Sequence, residues 1–225
     1  MLRLVLKSLS ETSVRGIYGP AEDRLPERMR LLHPDAAASF LGMADFVVVS
    51  DMFRSPESSL RAVREKRGAQ PPSYSAHNYG LAIDLAIDAT RKRWNLGTKQ
   101  RLDEEMEARG WFCHRRDHAL EHEAWHFNFL GVGAHIPVDL QATSSLIEAR
   151  IVELHGASFG ADERACQEML ARLRLYAGAI DGDIGPLSRE SIRAFQRTWG
   201  LKESGALDRR TRRTLVYVTC ERELV

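Results

Sequence analysis

Cysteine is scarce in this chain of 225 residues: there are three, Cys113, Cys166 and Cys220. Their odd number and wide spacing exclude a disulfide framework and a cysteine-ligated metal site, and fit reduced thiols in a protein made in the cytoplasm. No apolar run approaches the ~20 residues that a helix needs to cross a bilayer, so membrane insertion is not expected. The N-terminal "MLRLVLKSLS" is interrupted by Arg3 and Lys7. It lacks the apolar core and small-residue cleavage site of a secretory signal, and reads as part of the fold. An excess of either charge is missing too. Against 32 Lys+Arg stand 31 Asp+Glu, and a net charge of +1 gives no electrostatic footprint for nucleic acid. What remains is 44% hydrophobic and 28% charged, an ordinary globular composition with room for one large domain or two small ones.

Two blocks follow each other along the chain. The first opens with a mixed helix and loop region, then reaches "DFVVVS" (Asp45 to Ser50), a β-branched run that reads as a buried strand. "PESSLRAVREKRG" reads as a helix, with Pro56 at an early position and Gly68 as its stop. After a loop punctuated by proline and glycine, "LAIDLAID" (Leu81 to Asp88) alternates strictly and predicts a half-buried strand. "TKQRLDEEMEARG" is a helix with Thr98 as N-cap and Gly110 as stop, and "WHFNFLGVG" closes the block with alternating aromatics. Beyond Pro137, "DLQATSSLIEARIVELHG" predicts a helix ending at Gly156. "ADERACQEMLARLRLYAG", "GPLSRESIRAFQRTWG" and "ALDRRTRRTLVYVTC" then predict three short helices. The division expected is a first domain over 1–138, a linker helix over 139–160 and an all-α domain over 161–225. No long repeat and no low-complexity segment stands out.

One stretch asks for a metal in two incompatible ways. "EHEAWHFNFLG" contains H-E-x-x-H (His122, Glu123, His126), the pattern of a zincin helix, and also E-x-W-H. A zincin needs both histidines on one helical face. Here the alternating aromatics favour a strand, in which His122 and His126 would stand ~13 Å apart. The E-x-W-H reading needs partners upstream, and "SAHNYGLAID" supplies them. His77 falls in a glycine-bearing turn, and Asp84 on a strand between the small residues Ala82 and Ala86. His77, Asp84 and His126 would form a three-ligand N/O set with one open tetrahedral position, as a catalytic zinc requires. Glu123, three residues before His126, is expected in a turn or bulge leading into the strand, aimed back at the metal.

S-x-H-x-x-G-x-A-x-D followed by E-x-W-H resembles the double signature of the D-alanyl-D-alanine metallopeptidases, a family with the lysostaphin-type and hedgehog-like zinc folds. Ser75, His77, Gly80, Ala82, Asp84, Glu123, Trp125 and His126 match every fixed position. "WHFNFLGVG" is similar to the W-H-Y-R-Y-V-G run of the vancomycin-resistance-type D,D-carboxypeptidases. "DMFRS" stands where that branch has S-G-Y-R-S, with Asp51 and Met52 in place of Ser-Gly. The resemblance covers most of residues 40–135. The C-terminal block resembles a three-helix peptidoglycan-binding module through "CQEML", "DGDIG", "SIRAFQ", "GL" and "TRRTL", although Ile184 and Cys166 depart from its usual residues.

The resemblance implies an α+β zinc peptidase domain, a small antiparallel sheet flanked by helices, and then a small all-α three-helix domain. One Zn2+ per chain would be held by His77, Asp84 and His126, with Glu123 as general base. Arg54 would stabilise negative charge on the oxyanion or on a substrate carboxylate. Ser75, Ser55 and Trp125 would contact substrate or brace the ligands, Trp125 as a packing residue beneath the metal. His114, His118 and His122 read as solvated or supporting residues. The implied partner is bacterial peptidoglycan, and the implied form a monomer. Without a signal peptide, a phage-type endolysin would be made in the cytoplasm and released to the wall by a holin. A bacterial D-Ala-D-Ala carboxypeptidase and a non-catalytic wall-binding protein with a structural zinc stay open, as does the bond cut.

Overall fold

The structure is a computed structural model that describes residues 2–9, 30–65, 71–113, 123–136 and 144–225. Among these the fold is α+β, with two small sheets and eight α-helices. Its contacts separate two compact units that interleave along the chain. One comprises Met1–Leu4, Ser55–Ser75 and Val152–Glu223, the other Val5–Arg54, Ala76–Ile151 and Leu224–Val225.

The second of these units is built on a four-stranded antiparallel sheet. β3 (Val49–Asp51), β4 (Ala82–Leu85), β6 (His126–Phe129) and β5 (Trp111–Cys113) lie in that spatial order. Residues directly opposite across antiparallel strands share a face. Ile83 opposes Phe127, which opposes Cys113, and Phe129 opposes Trp111. These side chains make the apolar face, with Ile83, Phe127 and Trp111 at 0% exposure. Helices α1 (Pro34–Leu41) and α4 (Lys99–Glu107) reach it. Ser39 on α1 accepts a hydrogen bond from Trp111 Nε1 at 3.1 Å, and the Lys99 ammonium lies 5.0 Å from the centre of the Phe127 ring. Each fully buried aromatic or aliphatic side chain of this kind contributes roughly 1.5–3 kcal/mol. The opposite face carries Ala82, Asp84, His126 and Asn128, because Ala82 opposes Asn128 and Asp84 opposes His126.

Several boundaries differ from the sequence expectation, each for a packing reason. The N-terminal region, expected as helix and loop, begins with strand β1 (Arg3–Ser8), whose Leu4 and Leu6 are fully buried, and it pairs with β2 (Leu31–Leu32). The run "DFVVVS" becomes a strand only from Val49, although Val47 and Val48 are buried as well. "LAIDLAID" is a strand only as far as Leu85, and helix α3 (Ile87–Trp94) starts where alternation had suggested more strand. β4 is also central, not half-buried: Ala82 on the other face is as inaccessible as Ile83. Helix α5 (Ser144–Phe159) runs through Gly156. Thr98 does cap α4, accepting from the Arg101 N–H. Gly110, past the end of α4, has φ of 83°, and a Cβ there would stand 2.5 Å from the Gly131 backbone.

The other unit gathers α2 (Pro56–Arg64), residues 71–75 and the helices α6 (Glu163–Arg172), α7 (Pro186–Thr198) and α8 (Arg209–Val218). Asp162 caps α6 and Asp208 caps α8, each accepting a backbone N–H three residues on. Leu170, Ile192, Phe195, Leu215 and Val216 form its apolar centre. β7 (Glu221–Leu224) follows and pairs with β1. Residues Cys113, Cys166 and Cys220 are buried free thiols, and burial pushes the Cys166 thiol up to about 11. No helix among the described residues is long and apolar enough to cross a membrane.

Candidate metal centre

Strand register puts two of the three expected ligands side by side. Asp84 and His126 are Cα partners on β4 and β6, and His126 Nδ1 lies 2.9 Å from Asp84 Oδ1. His77 arrives from a 3-10 turn, Ala76–Tyr79, which ends at Gly80 and feeds directly into β4. Gly80 is required there: its φ is 67°, and a Cβ would sit 2.5 Å from the His33 backbone nitrogen. That close approach is fixed by the hydrogen bond from His33 N–H to Gly80 O at 2.9 Å. The turn carries His77 Nε2 to 3.2 Å from Asp84 Oδ1 and 3.1 Å from His126 Nδ1. His77 is 1% exposed, while the Asp84 and His126 side chains are 13% and 14% exposed. All three donor atoms fall within 4.8 Å of one another, the only such group of His, Cys, Asp and Glu among the described residues.

Neighbouring hydrogen bonds aim the ring nitrogens. His77 Nδ1–H donates to the Met52 carbonyl, so its Nε2 keeps a lone pair toward the cluster. His126 Nε2–H donates to Asn128 Oδ1 at 3.0 Å, which leaves Nδ1 as the inward lone pair. Asn128 sits opposite Ala82, whose small side chain leaves space for the amide. Two lone pairs and a carboxylate oxygen, all about 3 Å apart, repel one another unless a cation stands among them. Electrostatics follow from that crowding. In the metal-free site, where an imidazole can turn a proton inward, burial alone would raise the Asp84 carboxyl, but the neighbouring His77 and hydrogen bonds from both imidazoles hold it far below the usual carboxylate range. Burial opposes protonation of His126, yet Asp84, with help from Glu123 and Asn128, raises it above the ordinary histidine value. The chemistry of the set, two imidazoles and one carboxylate with sheltered lone pairs, fits a divalent metal ion.

Arg54 belongs to this face as well. Its Nη2 lies 2.6 Å from Asp51 Oδ2 and 3.8 Å from Asp84 Oδ2, and its backbone N–H donates to His77 O. Glu123 stands in the turn ahead of β6, with φ of 62° and its carbonyl accepting from His126 N–H. Its side chain is exposed, and its charge is felt at His126. A left-handed conformation at a non-glycine residue is uncommon and occurs often at functional turns. The stretch from Glu123 is thus a turn and a strand, not a zincin helix. His114, His118 and His122 lie outside the described residues.

Trp125 corrects an expectation. Its side chain is 44% exposed, so it does not pack beneath the ligands, although its carbonyl accepts from Leu85 N–H and extends the ladder. Ser55 uses its hydroxyl to cap α2, accepting from Ser58 N–H at 3.2 Å. Ser75 is half-buried, two residues ahead of His77. Sequence reasoning missed three supports: Asp51, Asn128 and the Met52 carbonyl. Asn128 was signalled by alternation, since it follows His126 by two on the same strand face.

In the helical unit, two glutamines repeat one design. Gln167 accepts from Gly182 N–H at 2.7 Å and donates to the Asp183 carbonyl and to Ser188. Gln196 accepts from Gly205 N–H at 2.9 Å and donates to the Ala206 carbonyl and to Thr211. Each carboxamide stitches the loop after its own helix to the start of the next. Residues 160–215 match the family described as "Putative peptidoglycan binding domain". The peptidoglycan-binding segment spans α6, α7 and most of α8, and it associates the chain with the bacterial cell wall. No curated protein matches the sequence.

Proposed function

We propose that this chain is a zinc-dependent peptidase that hydrolyses peptide bonds of bacterial peptidoglycan, of the phage-endolysin kind. The carrying observation is the convergence of His77 Nε2, Asp84 Oδ1 and His126 Nδ1 at separations of 2.9 to 3.2 Å. A tetrahedral zinc with bonds of about 2.0–2.1 Å keeps its donors about 3.3 Å apart, so the set needs little adjustment. The chemistry such an ion supplies is Lewis acidity toward a peptide carbonyl and toward water. Glu123, one turn ahead of His126, would take the proton of the attacking water and deliver it to the leaving amine. Arg54, beside Asp84, would donate to the oxygen on which negative charge develops. A purely structural zinc site has no use for such a base, which counts against the binding-only reading. The match over residues 160–215 supports peptidoglycan as the substrate, since a wall-binding segment raises the local concentration of an insoluble polymer.

Purified cell wall and the zinc-loaded intact chain provide the test. The protein is expected to clear wall in a zymogram and to release muropeptides whose masses identify the bond. Glu123→Gln is expected to keep its zinc and lose about 10²–10⁴-fold in rate. Absence of lysis by the zinc-loaded chain at any practical dose would sink the peptidase reading and leave a wall-binding protein.

A further inference from the structure

We propose that Asp51 determines specificity in this site: it makes Arg54 a partner for an uncharged peptide carbonyl, and so selects internal peptide bonds over ends that bear a free carboxylate. The proposal rests on the peptidase reading above and narrows its substrate class.

Asp51 is the Cα partner of Asp84, across a bulge between Val49 and Asp51. Two carboxylates directly opposite on neighbouring strands repel each other. The Arg54 guanidinium relieves that repulsion, with Nη2 at 2.6 Å from Asp51 Oδ2 and 3.8 Å from Asp84 Oδ2. Its Nε also donates to Asp51 Oδ2 at 3.2 Å. Asp51 is itself fixed, because Oδ1 accepts from Met52 N–H at 3.0 Å, and its side chain is only 14% exposed. Behind the guanidinium, Asn78 Nδ2 donates to the Arg54 carbonyl at 2.7 Å. Arg54 is therefore held at both its backbone and its head.

Two consequences follow. Nε and Nη2 are engaged, and Nη1 has no partner among the described residues, so one N–H edge has a set direction. The charge of Arg54 is also cancelled locally by Asp51, with Asp84 adding negative charge nearby. A fixed, locally neutralised donor favours a carbonyl oxygen. A free carboxylate would meet Asp51 repulsion together with Arg54 attraction, and would lose most of the gain of a charge-assisted bond. With a neutral residue at position 51, Arg54 would present its full charge and suit a terminal carboxylate.

The test compares two stem peptides identical except at the C-terminus, one ending in a free carboxylate and one in an amide. Rates are measured with the zinc-loaded intact chain, and affinities by calorimetry on the same chain carrying Glu123→Gln. The chain with Asp51 intact is expected to favour the amide in both measurements. Asp51→Asn keeps an acceptor for Met52 N–H and removes the charge. It is expected to move the preference toward the carboxylate by about tenfold, in KM and Kd and not in kcat. Asp51→Ser should move it the same way if the asparagine variant folds poorly. Zinc content is expected to stay at one per chain in both variants. An amide preference unchanged by both variants, or a starting preference for the carboxylate, would overturn the proposal while wall lysis left the peptidase reading standing. Loss of zinc would make Asp51 a brace of the ligands and overturn it too. Failure to bind or cleave either peptide or wall would overturn both readings together.

Discussion

A histidine ligand is only as good as the hydrogen bond behind it. His126 turns Nδ1 inward because Asn128 takes its Nε2–H at 3.0 Å. Asn128→Ala frees the ring to rotate or change tautomer and is expected to weaken metal affinity about 10–100-fold, read by competition with a chelator. A metal-dependent effect of pH follows from the same trio. In the metal-free protein His126 is raised in the fold, so its stabilisation is present below about pH 6.5 and lost as pH rises through the folded value. Asp84 is depressed, so its share is present above about pH 4 and fades only in strong acid. Metal, in contrast, binds the deprotonated ligands and stabilises more as pH rises. The gap in thermal midpoint between zinc-loaded and metal-free protein is expected to widen from about pH 5.5 to about pH 8. A gap that narrowed would mean that these three groups do not hold the ion. At this scale the cluster of His77, Asp84 and His126 was legible, because their spacing to a glycine and to small strand residues is chemical. Asp51 was not: it reads as a departure from a pattern, and only its 2.6 Å contact with Arg54 gives it a task.

Elements were legible where local signals agreed and illegible where tertiary burial overrode them. The Thr98 cap, the strand at "HFNF" and the turn at Glu123 all follow from short-range chemistry. "LAIDLAID" misled, because alternation continues into Ile87 while the chain has already begun α3. Strand β1 escaped notice although Leu2, Leu4 and Leu6 alternate, since its pairing partner β2 lies more than twenty residues away and is only two residues long. The glutamine stitches of the peptidoglycan-binding segment were equally hidden, for a lone Gln carries no spacing signal. Their energetic weight is testable. Gln196→Leu preserves bulk but leaves the Gly205 N–H and the Thr211 hydroxyl buried without their partner. A loss of about 2–4 kcal/mol in urea unfolding is expected. Removing the neighbouring exposed pair by Arg197→Ala should cost far less, since ion pairs in solvent contribute little. Equal losses from the two variants would mean that Gln196 contributes no more than the surface pair.

At the scale of the molecule, the peptidoglycan-binding segment is not a self-contained bead on the chain's end. Its unit also includes α2 and residues 71–75, which come from the middle of the sequence. Arg64 donates to the Thr198 carbonyl at 3.1 Å, and Arg213 to the Ser73 carbonyl at 2.9 Å. Ser73 and Thr214 hydroxyls meet at 3.3 Å, and the Arg213 guanidinium lies 4.5 Å from the centre of the Tyr74 ring. Such long-range contacts leave no trace in periodicity or composition, so the interleaving could not be read from the sequence. It has a consequence for dissection. A chain cut after Gly160 deprives α2 and residues 71–75 of Thr198, Arg213 and Thr214, and the freed loop ends two residues before His77. Its apolar surface, including Leu60 at 8% exposure, would meet water. The truncated protein is expected to melt lower than the intact chain and to be nicked faster by trypsin at Arg61 and Arg64, both on α2. Calorimetry and timed proteolysis decide the matter. A truncated chain that matched the intact one in both would show that the middle segment folds without the C-terminal helices.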